Sequence, residues 1–219
     1  MYAQRTGTVY LRETLGQLVN DLNRENRDME IFSSKLESVS PANKQQVLVQ
    51  NRANVAAACQ RLLDAIVGSK DSLPIGLRVV AHHLWLTVKS KFPSADITVI
   101  GSFFFLRFLC PAIAVPNQAG IIDSPPQLRL ARGLIYITKI LQNMSNDVKF
   151  GQKELDMVPF NSLMEKNMSR FSSFLTSISS HVVDPPFVRQ GSDNSYVQLR
   201  AEVLRYLSKL EPVLYMINV

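Results

Sequence analysis

The apolar positions of this chain recur at helical spacing. Leu11, Leu15, Leu18, Val19 and Leu22 fall at i, i+4, i+7, i+8 and i+11, one stripe down one helix. Val55, Ala58, Cys59, Leu62, Leu63 and Ile66 repeat the pattern. Ser40-Pro41 reads as an N-cap followed by proline at the first helical position, and Gly68 as the stop of that helix. Pro74 opens a further helix through Leu77, Val80, Ala81, Leu84 and Trp85 to about Lys91, where Phe92-Pro93 breaks it. Ser94 or Asp96 caps the next one, which is predicted to end near Pro111, because proline lacks a donor and clashes with the preceding turn. Val115 to Gln127 holds Pro116, Gly120, Pro125 and Pro126 and reads as a surface loop. Helices follow over about Leu128 to Asn146 and, after a break at Gly151, about Pro159 to Ser180. Pro185-Pro186 and the stretch Gly191 to Asn194 mark another break before a last helix, Tyr196 to about Met216. No stretch alternates long enough to argue a sheet. The predicted fold class is all-α, a single helical domain without internal repeats.

Composition sharpens this picture. At 219 residues, 46% apolar and 19% charged, the chain is globular and large enough for a real core. Its two cysteines, Cys59 and Cys110, lie in apolar helical contexts and read as buried thiols in a reducing compartment. Two cysteines and three scattered histidines give no zinc spacing. The first residues, Met1 to Thr14, carry no apolar signal core. The net charge of +6 suggests an acidic or anionic partner, but the basic residues form no run and no nucleic-acid recognition motif. No glycine-rich phosphate loop is present, and no Ser/His/Asp or Cys/His set can be argued. His82 and His83 are adjacent, so one is expected to pack and the other to be exposed. No cofactor is implied.

The run from Val99 to Val115 holds one charge, Arg107. It is shorter than a membrane span of roughly 20 residues and contains Pro111, so it reads as a buried core helix. An arginine in such surroundings must find acceptors or lose several kcal/mol to desolvation. It is expected in a buried structural ion pair or a set of carbonyl hydrogen bonds, or held rigid beside a functional surface, and the two can hold together. On the helix from Leu128, Leu130, Leu134, Ile137, Leu141 and Met144 are spaced for burial. Arg132, Lys139 and Asn146 sit seven residues apart on a second, polar stripe flanked by Gln142 and Asn143. Periodicity alone reads that stripe as solvent-facing.

Phe105-Leu106-Arg107 followed by Pro111-Ala112 resembles a signature of the Ras GTPase-activating (RasGAP) domain family. Tyr10-Leu11 with Thr14-Leu15 and Asn51-Arg52-Ala53-Asn54 are similar to its earlier helices. So are Leu73-Pro74 with Leu77-Arg78. Ala131 to Leu134 with Lys139, Gln142, Asn143 and Asn146 resemble the helix after the signature, and Phe150-Gly151, Lys153-Glu154 and Phe160-Asn161 complete the order. The match runs from about Tyr10 to Ser180 and most resembles the neurofibromin and SynGAP branches. It implies a RasGAP domain over residues 1–183 and a C-terminal helical extension over 184–219.

The resemblance implies that this chain binds a Ras-family GTPase in its GTP state and promotes hydrolysis, as a regulator with no active site of its own. Leu106, Arg107, Arg132, Lys139, Gln142 and Asn146 would face or support the groove that receives the GTPase. Pro111 and Ala112 would be structural. Lys139 would share binding with a structural pairing to a downstream carboxylate, for which Glu154 is the best candidate, although an alternative alignment places Lys153 there. Ile135 departs from relatives that carry lysine. The family's arginine finger lies on a loop upstream of the helix resembling Thr8 to Leu15, and Arg107 would brace that loop. No Phe-Arg motif precedes Tyr10, and Arg5 and Arg12 sit where the family has helix. The chain therefore reads as a domain truncated before its finger loop, acting in the cytoplasm or at the inner plasma membrane face through Ras. The rival readings are a non-catalytic Ras-binding module and a scaffold that keeps only the fold.

Overall fold

The computed structural model describes residues 2–91 and 96–180, with side chains over 7–90 and 97–180. The elements, in order, are α1 (Tyr2–Glu25), a 3-10 turn (Ser33–Lys35), α2 (Pro41–Gly68), a second 3-10 turn (Lys70–Ser72), α3 (Ile75–Lys91), α4 (Asp96–Gly101), a π-helical segment (Ser102–Leu109), α5 (Cys110–Ala114), α6 (Leu128–Ser145), a 3-10 stretch (Gln152–Phe160) and α7 (Asn161–Ser180). None of the described residues lies in a strand, and the fold is all-α. The breaker Phe92-Pro93, the Ser94 cap and everything read after Ser180, including the 184–219 extension, lie outside the described residues.

The stripes read from periodicity are the buried ones. Leu11, Leu15, Val19 and Leu22 of α1 and Val55, Ala58, Cys59, Leu62, Leu63 and Ile66 of α2 all enter the core. Pro41 begins α2, and the Ser40 carbonyl accepts from the Asn43 and Lys44 amides, although the Ser40 side chain makes no capping bond. α4, the π segment and α5 run end to end as one rod through the middle of the fold, in contact with α3, α6 and α7. Phe104 and Phe105 on this rod are fully buried. Phe105 packs on Phe171 with ring centroids 4.6 Å apart, and Phe104 on Phe174 at 5.8 Å. By length and composition Ile97–Ala114 could cross a membrane, yet most of it is packed inside the protein.

Two expectations about this rod are corrected. The helix does not end near Pro111; it continues to Ala114. In an α-helix the Pro111 ring would strike the carbonyl four residues back, which is that of Arg107. The wider π segment, where the Cys110 amide bonds to the Phe105 carbonyl, absorbs that conflict just before the proline. Nor is Arg107 desolvated: it is the exposed position of the segment, while Phe103, Phe104, Phe105, Phe108 and Leu109 carry the burial.

The loop after α5 is more anchored than its composition suggests. Ile121 and Ile122 are buried, and the Ile121 amide bonds to the Pro116 carbonyl at 2.8 Å. Gly120 makes this turn at φ +74°, with Thr8 close to the space a side chain would fill. The last described helix starts at Asn161, not Pro159, because the 3-10 stretch precedes it. Asn161 closes that stretch by accepting from the Phe150 amide at 2.9 Å and donating to its carbonyl at 3.0 Å.

Candidate functional site

The π segment aims Arg107 into a cleft of about 340 Å³ between α1 and the loop after α5. Thr8, Leu11, Phe108, Pro111, Ala112, Val115, Gln118 and Ala119 complete its lining. The guanidinium makes no hydrogen bond or ion pair to any described residue, so its donors are open at an apolar wall. Phe108, beside it in sequence, is buried and stacks near Tyr10 at 6.3 Å. Gly7 leaves room for that ring: a Cβ there would lie 2.4 Å from it. Leu106 does not line this cleft; it packs half-buried against the core. Pro111 is exposed and Ala112 buried.

α6 carries the second part of the site. Its outward stripe reads Leu128, Arg132, Ile135, Lys139, Gln142 and Asn146, spaced at four and three residues in alternation. Gln142 is half-buried, whereas Ile135 is 46% exposed. Each cation on this helix is tied to an acid from another segment. Arg129 Nε lies 3.0 Å from Asp28 Oδ1, Arg132 Nη1 lies 3.5 Å from Glu30 Oε2, and Lys139 Nζ donates to Glu154 Oε1. Lys153 is exposed and does not take the place of Glu154. Asn146 Oδ1 accepts from Ser102 Oγ at 3.3 Å, joining the end of α6 to the start of the π segment. None of these α6 side chains lines the Arg107 cleft.

The segment between α1 and the first 3-10 turn clasps α6 from the side. Asn51 Nδ2 donates to the Glu30 carbonyl at 2.8 Å, and Asn54 Nδ2 to the Asp28 carbonyl at 2.9 Å. Two asparagines on the buried stripe of α2 thus satisfy carbonyls that no helix or strand would serve. Arg52, between them, pairs with Asp156 of the 3-10 stretch at 3.2 Å. Met29 lies over Gly133, so close that a Cβ there would be 2.0 Å from its sulfur. Glu30 and Tyr136 were not singled out from the sequence. The available signal was the pair of asparagines on a stripe otherwise made of Leu48, Val55 and Ala58.

Among the described residues, no group of three His, Cys, Asp or Glu side chains could hold a metal. Burial pushes the Cys59 thiol up to about 12 and raises that of Cys110 as well, the opposite of an activated nucleophile. Burial, then the hydrogen bond to Glu30, holds the Tyr136 phenol above its ordinary value. His82 Nδ1 is 2.6 Å from the Ser179 carbonyl, a packing contact between α3 and α7, while His83 is exposed. Arg12 reaches Asp123 at 2.6 Å, and the Arg5 side chain lies outside the described residues.

Fold and surface together define an all-α domain that presents a cationic helix face near an arginine-lined cleft. The sequence matches the family described as GTPase-activator protein for Ras-like GTPase over residues 1–146. It is 31% identical over 190 residues to the probable Ras GTPase-activating-like protein ngap of Dictyostelium discoideum, covering 85% of this chain and 21% of that protein. It is 32% identical over 202 residues to human RAS protein activator like-3, covering 90% and 19%. With rat Ras GTPase-activating protein 1 it shares 29% over 182 residues, 82% of this chain and 17% of that one. The chain thus spans about a fifth of the length of these relatives. It belongs to the family of GTPase-activator proteins for Ras-like GTPases.

Proposed function

We propose that this chain binds the GTP-bound form of a Ras-family GTPase along α6 and the Arg107 rod and promotes hydrolysis of its GTP, as a regulator that carries no active site of its own. The observation that carries this reading is Arg107: a guanidinium on a π-helical turn packed into the core, open to a cleft, in a chain of this family. A Ras-type GTPase alone orients the attacking water poorly and leaves charge on the γ-phosphate uncompensated. Its activator supplies an arginine in trans. Arg107 is suited to a supporting part. Its donors face a space wide enough for a chain segment, and backbone carbonyls are acceptors it can serve in fork geometry. The segment it braces would carry the finger. Arg12 is a poor finger, being on α1 and tied to Asp123. Lys139, Arg132, Gln142 and Asn146 would meet the GTPase itself. Such a partner would bring the chain to the inner face of the plasma membrane.

Single-turnover hydrolysis of Ras-bound GTP at saturating chain tests this, run beside a version extended upstream by a Phe-Arg finger loop. Acceleration is expected from the extended version. In it, Arg107→Ala should slow hydrolysis by roughly tenfold or more while changing affinity little, since it removes bracing and not contact area. Equal losses of rate and affinity would contradict the bracing role. GTP-selective binding with no acceleration by either version would favour a non-catalytic Ras-binding module, the reading that the tethered Arg12 supports.

A further inference from the structure

Glu30 is the most buried acid among those facing α6, at 7% exposure. Its Oε1 accepts from the Tyr136 hydroxyl at 2.8 Å and from the Phe32 amide at 3.1 Å. Its Oε2 is buried and accepts no hydrogen bond. What faces that oxygen is Arg132 Nη1, at 3.5 Å. A carboxylate oxygen in that position attracts a cation strongly, because nothing else compensates it. Arg132 itself is about half exposed, so the ion pair holds one edge of its guanidinium from behind and leaves the remaining donors turned outward on the α6 stripe.

We infer that Glu30 is a positioning residue: it fixes Arg132 in the orientation in which that arginine meets an acidic or carbonyl acceptor on the GTPase. This rests on the reading of α6 as the GTPase-binding face. An unanchored surface arginine loses its rotamer freedom only on docking, and that loss opposes binding; an anchored one has already lost it. Tyr136 serves the other oxygen: its hydroxyl and the Phe32 amide satisfy Oε1, while the charge that holds Arg132 belongs to the carboxylate itself. The backbone of Glu30 is held by Asn51, so the carboxylate is fixed at both ends.

The test uses the full chain and Ras loaded with a non-hydrolysable GTP analogue. Affinity is measured by calorimetry for Arg132→Ala, Glu30→Gln, the double variant and Tyr136→Phe, and melting temperature for each. Side-chain ¹⁵N relaxation of Arg132 Nε is recorded in the wild type and in Glu30→Gln. Glu30→Gln should weaken binding by about 3- to 10-fold, with no further loss when added to Arg132→Ala. Tyr136→Phe should melt earlier yet bind within about twofold of wild type, since the carboxylate and its charge remain. A merely structural role would make Glu30→Gln and Tyr136→Phe behave alike. Additive losses in the double variant would overturn the proposal, as would an Arg132 Nε no more ordered in the wild type than in Glu30→Gln. Wild-type affinity in Arg132→Ala would instead refute the binding-face reading at this residue, with anchoring still judged by the relaxation.

Discussion

Lys139 combines two duties that a charge swap can separate. It is tied to Glu154, and both side chains keep more than a third of their surface in solvent. A pair this exposed contributes on the order of 0–1 kcal/mol. Reversal is worse than removal, because Lys139→Glu sets two carboxylates side by side. That variant should therefore lose several degrees of melting temperature as well as affinity for Ras. Adding Glu154→Lys restores an ion pair of opposite direction, so stability should return while affinity does not. Recovery of both would mean that the partner meets the pair and not the lysine, and an unperturbed melting temperature in Lys139→Glu would remove the structural duty. Spacing on α6 was enough to place Lys139 on the outward stripe. It could not choose Glu154 over Lys153, because residues 147–160 have no regular period: Glu154 itself sits at φ −140°, ψ 55° inside a 3-10 stretch.

At the level of elements, α6 was legible in the sequence almost to the residue, since an amphipathic helix writes its buried and outward faces into its spacing. The clasp that covers it was not. Residues 26–32 follow no period, and what holds them is side chain to backbone: Asn51 and Asn54 from α2, Glu30 onto the Phe32 amide. The π segment was hidden for another reason. Ser102–Leu109 is so largely apolar that a change of helical pitch leaves no mark on the pattern, and only Pro111, just beyond it in the same run, hints at it. Gly133→Ala tests the clasp against the helix. Alanine favours an isolated helix by about 1 kcal/mol over glycine. Here its Cβ would lie 2.0 Å from the Met29 sulfur and 3.0 Å from the Met29 Cβ, so the clasp must shift, not just a flexible side-chain tip. Overpacking costs about 1–3 kcal/mol, and displacement of Met29 also moves Glu30. The expected result is net loss of stability in chemical denaturation, together with weaker Ras binding. A gain in stability would show that Met29 swings aside and that the clasp is not rigid.

Across the whole molecule, electrostatics acts at two ranges that need not agree. The chain carries +6 overall, which favours encounter with an acidic partner surface. Near the site, however, Arg129, Arg132 and Lys139 each stand beside an acid, so the local field of α6 is weaker than its count of cations suggests. Arg107 alone of the site cations meets no described acid. The long-range term therefore belongs to the whole molecule, and the short-range term to the few cations that would meet the partner directly. Salt distinguishes them, because the Debye length falls from about 10 Å at 0.1 M to about 3 Å at 1 M and screens distant charges first. Raising sodium chloride from 50 to 500 mM should slow association with GTP-analogue-loaded Ras several-fold while dissociation changes by less than about twofold, in stopped-flow measurement. Arg107→Ala should lower affinity little and leave that salt slope nearly intact, since it removes one of many distant charges. If dissociation carries the salt dependence instead, exposed ion pairs hold the complex together, and the acids behind α6 release their cations to the partner on binding.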